Sequence, residues 1–216
     1  MKEILLYSGG MDSYIAWHYL GKPETLFVDL GHRYRLKEYK AVLSTIPETK
    51  TISSLFIGKY EEDDANIPMR NLFLAMCAAW EGADKVWLIV QKDEMSIPDR
   101  SIDFMLEARP ILSNLVKRDV RIATPFSDMD KTDMVRWYVD EVGDIGTLFQ
   151  TVGCFSEHDG HCGDCGACLR RYIAFKNNRI DPGYVLSESI KESYRNRPGD
   201  YSIARWRKME KWLQKS

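Results

Sequence analysis

The chain has 216 residues, 44% of them hydrophobic, and 30 lysines and arginines nearly balance 32 acidic residues for a formal net charge of -2. That length supports one sizeable core with a small appendage, and the mixed charge carries no whole-chain signature of a nucleic-acid binder or a membrane-surface protein. No apolar run approaches the roughly 18 residues that span a bilayer, and the N-terminus lacks the long apolar region and cleavage site of a secretory signal, so no membrane and a cytoplasmic location are expected.

In chain order, Ile4 to Tyr7 reads as a first strand that runs into Ser8-Gly9-Gly10-Met11-Asp12-Ser13, and a helical pattern follows through Ile15, Ala16 and Tyr19-Leu20. Thr25 to Val28 reads as a second strand closed by Asp29 and Gly31, Thr49 to Ser53 as a third, Lys85 to Val90 as the clearest, and Val120 to Ala123 as a short fifth. Helical periodicity falls near 34–45, 69–81, 101–117 and 131–142. Strands alternating with helices predict an α/β fold, a parallel twisted sheet with helices on both faces and ligands at the carboxyl ends of its strands. No repeat or low-complexity linker divides the chain. Residues 1–150 read as a nucleotide-binding α/β domain, and 151–216 as a cysteine loop with C-terminal helices packed into the same unit. Between Tyr201 and Lys215, Ile203, Trp206, Met209 and Leu213 form an apolar stripe set among basic residues, the pattern of a helix packing on its own domain.

The segment Ser8 to Ser13 has the composition of a phosphate cradle. Its glycines let backbone N–H groups approach phosphate oxygens where a Cβ would obstruct, and the following helix aims its positive end at the same point. Ser8 and Ser13 add hydroxyl donors, and Asp12 suits either a Mg²⁺ ion or a helix cap. The spacing and the Gly-Lys-Ser/Thr ending of a Walker A loop are absent.

Four of the five cysteines lie between positions 154 and 168. Two C-x₂-C steps share Cys165, and with Cys154 upstream they make Cys154, Cys162, Cys165 and Cys168 a candidate closed tetrahedral Zn²⁺ site with a structural role. His158 and His161 lie in the same loop and are left out, because four thiolates are the softer and complete set. A redox dithiol is the alternative. Cys77, within an apolar helical pattern, reads as core.

At these residues a resemblance becomes specific. Ser-Gly-Gly-Met-Asp-Ser resembles the signature of the PP-loop ATP pyrophosphatases. Cys154-Phe155 with Cys162-Gly163-Asp164-Cys165-Gly166-Ala167-Cys168 is similar to the zinc site of the 7-cyano-7-deazaguanine synthases, the QueC family of queuosine-precursor enzymes. Phe27 to Tyr34 resembles that family's segment after its second strand. Ile67-Pro68-Met69-Arg70-Asn71 resembles its V-P-x-R-N, Thr124-Pro125-Phe126 with Lys131 its T-P-x and downstream lysine, and Gln91 to Arg100 its D-x-S-G-Y-P-D-C-R loop. The likeness touches positions 4 to about 175.

The resemblance implies an ATP-dependent ligase that adenylates the carboxylate of 7-carboxy-7-deazaguanine and converts it with ammonia to the amide and then the nitrile, using ATP, Mg²⁺ and Zn²⁺. It implies a nucleotide site of Tyr7, Ser8, Gly9, Gly10, Met11, Asp12, Ser13, Asp29 and Gly31, with catalytic roles for Ser8, Asp12, Ser13, Arg70 and Lys131. Asn71, Asp93 and Asp99 become the substrate contacts, with Asp99 accepting the N–H edge of the base. The expected partners are the small-molecule acid and ammonia; such an enzyme also allows a protein acceptor and a homodimer. The sequence departs from the family where Ile97 alone replaces Gly-Tyr, where the cysteine after Asp99 is missing, and where Gly153-Cys154-Phe155 replaces Ser-Cys-Tyr. Three other functions therefore stay open. One is a conjugating enzyme that transfers the deazaguanine acyl group to another amine, one a tRNA-modifying PP-loop sulfur transferase, and one a nucleotide-binding module that regulates a partner.

Overall fold

The computed structural model describes residues 1–197 and 202–214; Tyr201 and Lys215, the outer ends of the expected C-terminal helix, lie outside the described residues. Five strands, β1 (Glu3–Leu6), β2 (Glu24–Asp29), β3 (Lys50–Ser53), β4 (Lys85–Trp87) and β5 (Arg121–Ala123), form one all-parallel sheet in the order β3-β2-β1-β4-β5. The helices are α1 (Met11–Tyr19), α2 (Arg35–Thr45), α3 (Arg70–Trp80), α4 (Ile102–Val116), α5 (Lys131–Glu141), α6 (Ile145–Gln150), α7 (Gly166–Asn177), α8 (Glu188–Arg195) and α9 (Ile203–Leu213). Among the described residues no helix is long and apolar enough to cross a membrane.

Strand alternation builds two cores, because successive side chains leave a strand on opposite faces. Ile4, Leu6, Leu26, Val28, Val86 and Leu88 enter one buried cluster with residues of α3 and α4. Leu5, Tyr7 and Phe27 enter the other with residues of α1, α2 and α5, while Trp87 and Ile89 pack against it half-buried. Ala174 and Phe175 of α7 belong to that second cluster, so residues beyond 150 share the main core. A third, smaller cluster joins Leu169, Ile173 and Leu186 to Met209 and Leu213 of α9.

The sheet differs from the sequence reading at β4, where ladder pairing stops at Trp87 rather than Val90. The cause lies opposite, at Thr124-Pro125. The Thr124 hydroxyl accepts from Val90 N at 3.2 Å and donates to Val90 O at 2.7 Å, taking over the backbone groups of the ladder just before a residue that has no N–H. The apolar stripe of α9 is also narrower than expected. Met209 and Leu213 are buried and Trp206 packs half-buried, but Ile203 is 74% exposed. Charge also holds α9: Lys208 bonds Asp130 and reaches Asp133 Oδ1 at 2.9 Å, both at the N-terminus of α5.

Candidate active site and metal centre

In this strand order the connection reverses between β1 and β4, which is where ligands bind in open α/β sheets. A cavity of about 290 Å³ opens there. Its walls combine Ser8 and Gly10 to Ser13 after β1, Arg70 and Asn71 at the start of α3, Glu94 and Arg100 after β4, Lys131 at the start of α5, and Arg170 and Arg171 of α7.

The loop after β1 is held from both sides. Gly9 has φ +70°, and a Cβ there would sit 2.7 Å from the Glu38 carbonyl and 2.9 Å from Ala41 Cβ, so only glycine lets the loop lie against α2. On the other side Val152 N donates to Gly9 O at 2.9 Å. Ser13, 5% exposed, donates to Gly10 O at 3.0 Å and lies 3.4 Å from Ser8 N, so its hydroxyl shapes the turn. No side chain caps α1, which leaves its first-turn N–H groups to the cavity and removes a capping role for Asp12. Tyr7 and Met11 reach the cavity wall, although both are buried in the second core and the Tyr7 hydroxyl bonds Thr45.

Asp12 is the centre of a small charge network. One carboxylate oxygen, Oδ2, pairs with Lys131 and accepts from Gln91 Nε2 at 2.6 Å. The other, Oδ1, is buried with no partner among the described residues. Gln91 is 4% exposed and was missed by the sequence reading, since an isolated glutamine at a strand end carries no pattern. Arg171 was missed too. It is 2% exposed, donates to Thr151 Oγ1 at 2.8 Å and Leu148 O at 3.0 Å, and among the described residues its Nε has no partner. Burial lowers its pKa to about 10 although Tyr184 and the Asp12 carboxylate act in the opposite direction.

Several expected residues lie elsewhere. Asp29 accepts from Gly31 N at 3.0 Å and from Arg35 Nη1 at 2.5 Å, and neither Asp29 nor Gly31 lines the cavity. Gly31 has φ +81°, and a Cβ on it would meet the Leu55 carbonyl at 2.1 Å, so this glycine serves a chain crossing. Asp93 faces Arg205 of α9 at 3.4 Å in a neighbouring hollow, and burial raises its pKa despite that cation. The Asp99 side chain is not in the cavity lining; Asn71, itself 5% exposed, donates to the Asp99 carbonyl at 3.1 Å and so anchors the loop backbone. The loop carboxylate that does line the cavity is Glu94, 2.9 Å from Arg100 Nη1. Glu94 stands two residues before Ser96, the place of the aspartate in D-x-S, and the shortened loop hid that register.

The four cysteine sulfurs of Cys154, Cys162, Cys165 and Cys168 all lie within 4.8 Å of one another. A tetrahedral Zn²⁺ with 2.3 Å bonds separates its sulfurs by about 3.8 Å, and Cys162 Sγ and Cys168 Sγ are 3.9 Å apart. Backbone N–H groups point at the sulfurs: Cys162 N at 3.4 Å from Cys154 Sγ, Asp164 N at 3.4 Å from Cys162 Sγ, and Cys168 N at 3.4 Å from Cys165 Sγ. Such donors favour thiolates, so the cluster fits a structural zinc. His161 stacks on Tyr184 with ring centres 4.8 Å apart, and His158 offers its carbonyl to Lys37. Cys77 is buried core, where desolvation raises its thiol pKa.

The metal loop and the cavity share their walls, since Val152 to Phe155 and Ala167, Arg170 and Arg171 line the same space as Asp12. A family model described as queuosine biosynthesis protein QueC matches residues 39–179, which include the four cysteines, Arg70-Asn71, Glu94 and Lys131. The chain is 29% identical over 208 residues to 7-cyano-7-deazaguanine synthase 1 of Sulfurisphaera tokodaii, covering 88% of this chain and 100% of that protein. It is 29% identical over 212 residues to the 7-cyano-7-deazaguanine synthase of Nitratiruptor sp., covering 82% and 94%. For the Archaeoglobus fulgidus protein of that name the figures are 25% over 228 residues, covering 89% and 93%. With well over half of its length matched by that model, and with the fold and cysteine cluster described above, the chain belongs to the QueC family.

Proposed function

We propose that this protein is an ATP-dependent 7-cyano-7-deazaguanine synthase, an enzyme that adenylates 7-carboxy-7-deazaguanine and converts it with ammonia to the amide and then the nitrile. The observation that carries the reading is one cavity that joins a turn of free helix N–H groups, the half-unpaired Asp12, and the cations Arg70, Lys131 and Arg171. Relatives named for this product support the choice of substrate.

In the first step the substrate carboxylate attacks the α-phosphorus of ATP and the bond to the bridging oxygen breaks, releasing pyrophosphate. The residues suit that charge flow. The first-turn N–H groups of α1 and the three cations receive negative charge in a site where hydrogen bonds are already oriented. The orphan Oδ1 of Asp12 fits a Mg²⁺ ion, which would supply further charge neutralisation to the leaving pyrophosphate. Lys131 and Gln91 hold the other oxygen, Oδ2, and so fix the carboxylate of a residue that lines the cavity. Ammonia then displaces AMP to give the amide, and a second ATP activates the amide oxygen for dehydration. The four thiolates would hold zinc as a closed structural site with no open position for the reactants.

Pyrophosphate release by the purified protein with ATP and 7-carboxy-7-deazaguanine, with and without ammonium, tests the reading. Release coupled to nitrile formation only with ammonium is the expected result. Release that needs a different amine would favour the conjugating reading, and none with this acid would end the substrate assignment. Base recognition falls to Glu94, whose carboxylate accepts from both a ring N–H and an exocyclic amine. Glu94→Gln should weaken binding of the acid by roughly 2–3 kcal/mol, about 30- to 150-fold, with ATP binding unchanged. Asp99→Asn should leave the acid's affinity within about twofold. Calorimetric titration of both variants checks this, and the reverse outcome would return the role to Asp99.

A further inference from the structure

Lys37 of α2 is 6% exposed, and among the described residues no carboxylate pairs with it. Its ammonium has three protons, and three oxygens receive them: Ser156 Oγ at 3.4 Å, the His158 carbonyl at 2.7 Å and the Gly160 carbonyl at 3.1 Å. All three acceptors are neutral, and all belong to the loop between Cys154 and Cys162. Hydrogen bonds of this kind satisfy the protons but do not balance the charge, and a buried, unbalanced charge is costly by several kcal/mol.

The balancing anion is one step away. Ser156 Oγ lies 3.2 Å from Cys154 Sγ, so the hydroxyl that accepts from Lys37 is free to donate its own proton to the sulfur. Four thiolates around one divalent ion leave a net double negative charge on the centre. The loop brings few cations of its own to meet that charge; between Cys154 and Cys168 it contains no lysine or arginine.

We infer that Lys37 is a positioning and charge-balancing residue of the metal centre, acting on Cys154 through Ser156. The inference rests on the metal reading of the four cysteines. It also gives α2 two duties, since the same helix packs Glu38, Ala41 and Val42 against Gly9 of the phosphate loop. Lys37 is thus a buried link between the metal loop and the nucleotide side of the molecule.

Lys40 supplies an internal control. It reaches the same loop, pairing with Asp159 at 3.2 Å, but its side chain is 69% exposed and its partner is a carboxylate. The experiment is competition for zinc between the purified full-length protein and a chromogenic chelator. Lys37→Met should lower zinc affinity about 10- to 100-fold, Ser156→Ala by a smaller factor in the same direction, and Lys40→Met not at all. Thermal melts of loaded and metal-stripped protein separate charge from packing. Lys37→Met should lower the melting temperature of the loaded protein only, whereas a merely structural lysine would lower both. If the wild type holds no zinc, the metal reading itself fails. If it holds zinc and Lys37→Met keeps it as tightly, or Lys40→Met loses it equally, the role assigned to Lys37 is overturned.

Discussion

Replacing Asp12 by asparagine should cut pyrophosphate release at least about a hundredfold, a loss of roughly 3 kcal/mol of transition-state stabilisation. The expected effect follows from the position of the two carboxylate oxygens. Oδ2 is already held by Lys131 and by Gln91 at 2.6 Å, while Oδ1 is buried and, among the described residues, unpaired in a side chain that lines the cavity. An amide of the same size keeps the packing but removes the charge that would hold a hard cation and balance Lys131. The fold and zinc content should not change, because Asp12 caps no helix and is not one of the four residues that could hold the metal. Ser13→Ala is a poorer probe than its place in the motif suggests, since the Ser13 hydroxyl also bonds Gly10 O and shapes the loop. Single-turnover pyrophosphate release, beside metal analysis and circular dichroism, is the measurement. Wild-type turnover in Asp12→Asn would remove the phosphate loop from the mechanism.

The second large effect belongs to Cys165→Ser. Cys165 is the N-cap of α7, its sulfur accepts from Cys168 N at 3.4 Å, and its loss opens a four-thiolate site. Structural zinc sites contribute roughly 10–16 kcal/mol of binding free energy that is also folding free energy, so zinc content should fall below about half an equivalent. The consequence should travel to the nucleotide site. Val152 bridges the phosphate loop at Gly9 and Gly10, and Arg171 on α7 lines the cavity while holding Thr151 and Leu148. ATP affinity should therefore drop by at least about tenfold together with zinc, although Cys165 itself does not line the cavity. Metal analysis and ATP titration of the same preparation check both parts. Unchanged zinc would discard the site, and lost zinc with unchanged ATP affinity would discard the coupling.

What the sequence determined by itself lies within short windows. The parallel α/β plan was legible because strand alternation and helical periodicity are local consequences of backbone geometry, and the helices near 34–45, 69–81, 101–117 and 131–142 appear within a residue or so of those limits. The candidate phosphate loop occupies six consecutive residues and the four clustered cysteines span fifteen, so spacing alone singled them out. The tertiary structure decided everything that depends on which distant segments meet. Gln91 meets Asp12 across 79 positions and Lys37 meets Ser156 across 119. No periodicity records such distances, because they are fixed by strand order and by how α2, α5 and α7 pack on the sheet. The same packing turned Asp29 and Gly31 to a chain crossing, Asp93 to Arg205, and Glu94 rather than Asp99 to the cavity. A motif fixes the type of residue available for a task, and the side-chain direction that selects among neighbouring acids is set only when the loop is anchored, here by Asn71 on the Asp99 backbone.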